Sequence, residues 1–166
     1  MHRDLDEVLG DRLDEVCEND DAAAFEQLMD GLSLHEFAEH ALLVAARTGA
    51  VTVVRWMMDR GASLDIPSTR GSLVDAVCTF GHPHVLALLL EAGAPVRGVP
   101  LVKAAHCGPL ESVRLLVEAG VDVNQGYRGF PTPLRAAMDG GHADIVAYLQ
   151  LHGATKLVGD GSGVGK

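Results

Sequence analysis

Aromatic residues are scarce in this chain: they make up 4% of its 166 residues, as one Trp, two Tyr and four Phe. Its core must therefore be filled by Leu, Val and Ala in thin layers. The three cysteines, Cys17, Cys78 and Cys107, form no even, closely spaced set. That excludes a disulfide framework and makes a reducing cytoplasm the expected compartment. Long apolar runs are missing as well. The longest, Val85–Leu90, is far too short to cross a bilayer, and acidic residues crowd the first twenty positions where a secretory segment would need a basic and then an apolar stretch.

Basic charge is in deficit, with 13 Lys and Arg against 23 Asp and Glu and a formal net charge of -10. The imbalance is local. Residues 1–39 hold thirteen acids against Arg3 and Arg12, whereas residues 40–166 hold ten acids against eleven Lys and Arg. An N-terminal excess of this sign repels duplex nucleic acid and speeds encounter with a basic protein. It reads first as a solvated cap and second as a docking surface. The Gly-rich end, Gly159 to Lys166, has linker composition. Although it closes on Gly165-Lys166, Asp160 stands where a phosphate-binding loop needs its first Gly, and no Ser or Thr follows the Lys.

What the chain does have is a phrase repeated four times. GAVTVVRWMMDRGA (from Gly49), GHPHVLALLLEAGA (from Gly81), GPLESVRLLVEAGV (from Gly108) and GHADIVAYLQLHGA (from Gly141) have the same length and the same Gly-Ala or Gly-Val ending. The anchor glycines are spaced by 32, 27 and 33 residues, so the connection between the second and third units is shortened by about six residues. A shorter apolar segment precedes each anchor: it begins at His40, Ser72, Val99 and Thr132. Each unit therefore reads as short helix, tight turn, longer helix and loop, and units of this size bury their apolar faces by stacking. Ser72 and Thr132 are placed to cap first helices, Pro100 and Pro133 to open them, and the glycines at 61, 93, 120 and 153 to end the second ones. A divergent acidic unit is expected before the repeats, with Leu5, Val8, Leu9, Leu13 and Val16 at helical spacing and a second helix from about Ala22 to Met29.

These joint spacings resemble the ankyrin repeat. The last unit is nearest to its pattern, with Thr132-Pro133-Leu134, Ala136-Ala137, Gly141-His142, Ile145-Val146, Leu149 and Gly153-Ala154; Arg135 replaces the usual His. The resemblance implies an all-α solenoid of helix-turn-helix units joined by hairpin-like loops. Residues 1–35 would form the cap, 36–154 four repeats (about 36–65, 66–97, 98–124 and 125–154) and 155–166 a flexible tail. It also implies a non-enzymatic protein-interaction module with no cofactor or metal, monomeric on its own. Partners would lie in the concave groove, against first-helix ends Arg47, Thr48, Thr79, Phe80, His106, Met138 and Asp139 and finger residues Thr69, Arg70, Tyr127, Arg128 and Phe130. Arg97 lies in the shortened connection, which should leave a gap in the row of fingers above Phe80 and His106. Phe80 and Met138 can be read either as hot-spot residues or as covers for the seam between units.

Three further readings stand beside this one. An acidic inhibitor, immunity or adaptor protein would bind a basic partner through the groove or the acidic cap. A metal or small-ligand site, or an enzyme, would draw on Cys78, His82, His84, His106 and Cys107, although their spacing fits no compact zinc motif and Cys78 falls at a packed helix position. A structural spacer in a larger assembly would need no groove at all.

Overall fold

The computed structural model describes residues 2–30, 34–66, 72–126 and 131–155, with side chains from Gly10 onward in the first helix and from Phe37 onward in the third. Ten helices are found among these residues: α1 (His2–Glu18), α2 (Ala22–Met29), α3 (Leu34–Thr48), α4 (Val51–Asp59), α5 (Leu73–Phe80), α6 (Pro83–Glu91), α7 (Pro100–Cys107), α8 (Leu110–Glu118), α9 (Pro133–Asp139) and α10 (Ala143–Leu151). Consecutive helices pair, and the pairs stack in two layers. α1, α3, α5, α7 and α9 pack in sequence as one layer, and α2, α4, α6, α8 and α10 as the other. α3 begins at Leu34, well before the repeated segment that starts at His40, because neither Gly nor Pro interrupts Leu34–Glu39.

Local chemistry sets these boundaries. Ser72 and Asp75 form a reciprocal capping box at the start of α5, and the Thr132 hydroxyl accepts from the Arg135 amide at the start of α9. Pro100 and Pro133 occupy first-turn positions, where no amide partner is lost. The helices α4, α6, α8 and α10 end the same way: the residues after Gly61, Gly93, Gly120 and Gly153 (Ala62, Ala94, Val121 and Ala154) donate their amides to the carbonyls of Met57, Leu89, Leu116 and Leu149 at 2.9–3.0 Å. That closure puts each of these glycines at positive φ, although a side chain there would meet open space. Conformation alone demands glycine at these four places.

Small residues let the first helices pack side by side: Ala45 and Ala46, Ala104 and Ala105, and Ala136 and Ala137 are buried, and so is Cys78. Phe25 at the N-terminal end is fully buried and meets Trp56 edge-on, with ring centroids 5.2 Å apart, which joins α2 to α4.

Candidate functional site

The ends of the first helices form an open groove. Thr79 of α5, Val102, Lys103, His106 and Cys107 of α7, and Ala136 and Asp139 of α9, with Pro131 ahead of α9, enclose a volume of about 420 Å³. Phe80 and Met138, next in sequence to two of these wall residues, are 51% and 52% exposed. Half their surface faces water, so neither is spent wholly on covering the seam. No finger overhangs this place from the second unit, because the connection from Glu91 to Pro100 is far shorter than those from Asp59 to Leu73 and from Glu118 to Pro133.

Of the positions expected from the sequence, Thr79, His106 and Asp139 come together in the groove, and Phe80 and Met138 flank them in sequence. Arg47 and Thr48 do not line it. Arg47 is ion-paired to Asp14 of the cap, and the Thr48 hydroxyl donates to the Val44 carbonyl at 3.1 Å. Arg97 binds Asp65 of the preceding connection at 2.6 Å, so it ties two loops together. Thr69, Arg70, Tyr127, Arg128 and Phe130 lie outside the described residues, as does the tail from residue 156.

Asp75 sits behind the groove and connects three elements. It is 2% exposed and accepts the Ser72 amide at 3.2 Å, and its Oδ2 lies 3.7 Å from Lys103 Nζ of α7. The other carboxylate oxygen, Oδ1, is buried and has no hydrogen-bond partner among the described residues. Burial raises the Asp75 carboxyl above its ordinary value, against the opposing pull of Lys103 and the amides of Ser72 and Val99. Gly98 closes over this carboxylate at φ +80°; any Cβ there would collide with Oδ2. The Ser72 hydroxyl also donates to the Arg97 carbonyl at 3.2 Å. The short connection is thus fastened to the start of α5. Sequence reasoning missed Val102, Lys103, Pro131 and Ala136 as groove residues. Ser72 followed three places later by an acid signals the cap, but nothing in the spacing signals Lys103.

The rings of the Gly-His turns bond across units. His82 Nε2 donates to the Arg47 carbonyl at 2.7 Å, and His142 Nε2 to the His106 carbonyl at 3.0 Å. Each ring reaches back to the first helix of the preceding unit. The candidates Cys78, His82, His84, His106 and Cys107 are differently placed: His82 is engaged with the Arg47 carbonyl, and Cys78 is fully buried while His84 and Cys107 are exposed. Among the described residues no group of three His, Cys, Asp or Glu could hold a metal ion. The Cys78 thiol is pushed up to about 12, first by burial and then by the Asp75 charge, so Asp75 suppresses the thiolate and activates no nucleophile.

Four acids of the cap are structural. Asp14 holds Arg47, and Glu26 holds Arg60 at 2.6 Å, with the Arg60 guanidinium also lying over the Trp56 ring. Asp21 caps its own helix, and Asp20 caps α4 from the neighbouring unit by accepting the Thr52 and Val53 amides at 2.8 and 3.1 Å. Asp11, Glu15 and Glu18 are exposed on α1.

Comparison with known proteins agrees with this architecture. A family model of ankyrin repeats, in three copies, matches residues 73–160. Cyclin-dependent kinase inhibitor 2A of Homo sapiens is 30% identical over 129 residues, covering 72% of this chain and 81% of that protein. Cyclin-dependent kinase 4 inhibitor B of Rattus norvegicus is 32% identical over 127 residues, 71% of this chain and 95% of that protein. The chain spans 19% and 17% of two longer relatives, a putative ankyrin repeat protein of Acanthamoeba polyphaga mimivirus and protein fem-1 homolog A-like of Mus musculus. The crystal structure of the human ASB11 ankyrin repeat domain superposes with a TM-score of 0.77 at 21% identity, covering 87% of this chain and 70% of that one, and so shares the fold. No helix among the described residues is long and apolar enough to cross a membrane.

Proposed function

The chain belongs to the ankyrin-repeat family, a protein-interaction fold, and on that premise we propose that it is a non-enzymatic inhibitor or adaptor that holds a protein partner along its first-helix ends. The observation that carries this reading is the groove across α5, α7 and α9 with half-exposed Phe80 and Met138 beside it. Apolar side chains exposed next to a concavity are what a partner's anchors bury. The inhibitor reading draws on relatives named as kinase inhibitors, which the chain matches over most of their own length. A protein kinase is accordingly the first partner class to try. We place the protein in a reducing cytoplasm, in keeping with its three free cysteines.

A second reading, a basic partner on the cap, draws on the exposed carboxylates of Asp11, Glu15 and Glu18. Affinity capture separates the two. Wild type and a Phe80→Asp/Met138→Asp variant of unchanged melting temperature are used as baits. The groove reading expects a stoichiometric partner with wild type alone. Equal capture by both baits contradicts it, and if that capture is lost at high salt it favours the cap.

A further inference from the structure

Among the described residues, the Lys and Arg side chains at the groove are paired within the chain. Lys103, with 28% of its side chain exposed, faces the Asp75 carboxylate, itself 3% exposed, and Arg135 Nε donates to Asp139 Oδ1 at 2.8 Å. The rest of the wall is mainly apolar, with Val102, Pro131, Ala136 and Cys107 beside Thr79 and His106. An incoming carboxylate would have to displace Asp75 from Lys103 while losing its own water, and an incoming ammonium would meet Lys103. An uncharged apolar group meets neither cost. About 420 Å³ is a ligand-sized space, with room for one branched or aromatic side chain and the backbone that carries it.

We propose that the α5–α7–α9 groove receives an uncharged apolar side chain of leucine or phenylalanine size from the protein partner, and that Asp75 is a positioning residue that keeps Lys103 from recruiting an acidic one. The proposal rests on the interaction reading above and names its chemistry. Asp75 acts through Lys103 and touches no ligand. The position of Gly98 over the carboxylate makes the arrangement specific, since any side chain at residue 98 would drive Asp75 from its place. The shortened connection is therefore more than a missing finger: it seals the ion pair that sets the charge of the groove.

The test uses the whole chain and three probes with one ring and different charge: N-acetylphenylalanine methylamide (neutral), N-acetylphenylalanine (anionic) and phenethylammonium (cationic). Amide shifts are followed for all three probes at pH 8, where the carboxylate and the ammonium are both ionised. The neutral probe should shift Val102, Cys107 and Ala136 saturably and bind at least about fivefold more tightly than either ion. Asp75→Asn should bring the anionic probe level with the neutral one or beyond it. Alkylation of the exposed Cys107 by N-phenylmaleimide, with Cys17 and Cys78 protected by burial, should abolish the shifts. Equal affinity for the three probes, preference of the wild type for an ion, shifts elsewhere, or no binding would each overturn the proposal. If Asp75→Asn does not fold, the wild-type ranking and the Cys107 block decide it. A protein partner captured by wild type while no probe binds would leave the interaction reading standing and remove this one.

Discussion

Between the acidic first pair and the next unit, the Asp20 carboxylate reaches forward to the Thr52 and Val53 amides; before the last unit, the His142 ring reaches back to the His106 carbonyl. Both links cross from one unit to the next at a turn. One sets a carboxylate on a helix N-terminus and the other an imidazole N–H on a helix C-terminus, the two ends where backbone groups lack partners. The comparison shows that a divergent unit can keep the geometry of the stack while exchanging its chemistry. It also changes the meaning of the N-terminal charge. Asp14, Asp20, Asp21 and Glu26, four of the thirteen acids in residues 1–39, each hold part of the cap together, so part of the negative excess is structural.

The most severe way to break the comparison is to empty the core at either end. Phe25→Ala in the cap should cost about 3–5 kcal/mol, and Leu149→Ala in the last pair about 2–5 kcal/mol, as both side chains are fully buried. Urea denaturation measures both; a cap that folds loosely would show a far smaller loss for Phe25→Ala. Next come the links themselves. Asp20→Ala should cost about 1–2 kcal/mol through the lost cap of α4, and His142→Ala about 1 kcal/mol. Asp20→Asn should be milder, since Asn also accepts amide hydrogens and tolerates the residue's φ of 50°.

The pH dependence of Asp75 supplies a contrast of opposite sign to a stabilising surface acid. Its carboxyl is raised in the folded chain, so its ionised form is penalised at neutral pH, and that penalty is relieved as pH falls through the raised value toward the ordinary carboxylate range. The stability of wild type minus that of Asp75→Asn should therefore rise as pH is lowered from about 7 to about 4. A fall over that window would show that the Lys103 pairing outweighs burial. The smallest effect belongs to the half-exposed Arg47–Asp14 pair: Arg47→Ala should cost at most about 1 kcal/mol, less still in high salt.

Much of this stack was legible in the sequence because its parts are local. The capping hydroxyls of Ser72 and Thr132, the first-turn prolines, the closing glycines and the α2 helix at Ala22–Met29 all depend on residues within one turn of each other. The short connection was legible as well, since a missing stretch is a matter of counting. What escaped were the links across units. His82 to Arg47, Asp20 to Thr52 and Asp75 to Lys103 join residues 28 to 35 positions apart, and their distances depend on how helices stack rather than on any motif. Lys103 is the sharpest case: on an isolated α7 it would be a solvated cation, and in the stack it faces the carboxylate beneath Gly98.

The central claim, that the groove binds the partner while the cap supports the stack, is tested most directly by calorimetric titration of the captured partner into three forms of the chain. These are wild type, Phe80→Asp/Met138→Asp, and Asp11→Asn/Glu15→Gln/Glu18→Gln, each first shown to melt normally. The account predicts that the groove variant binds at least about tenfold more weakly and the cap variant within about twofold of wild type at about 0.15 M salt. Full affinity in the groove variant with loss in the cap variant would contradict it.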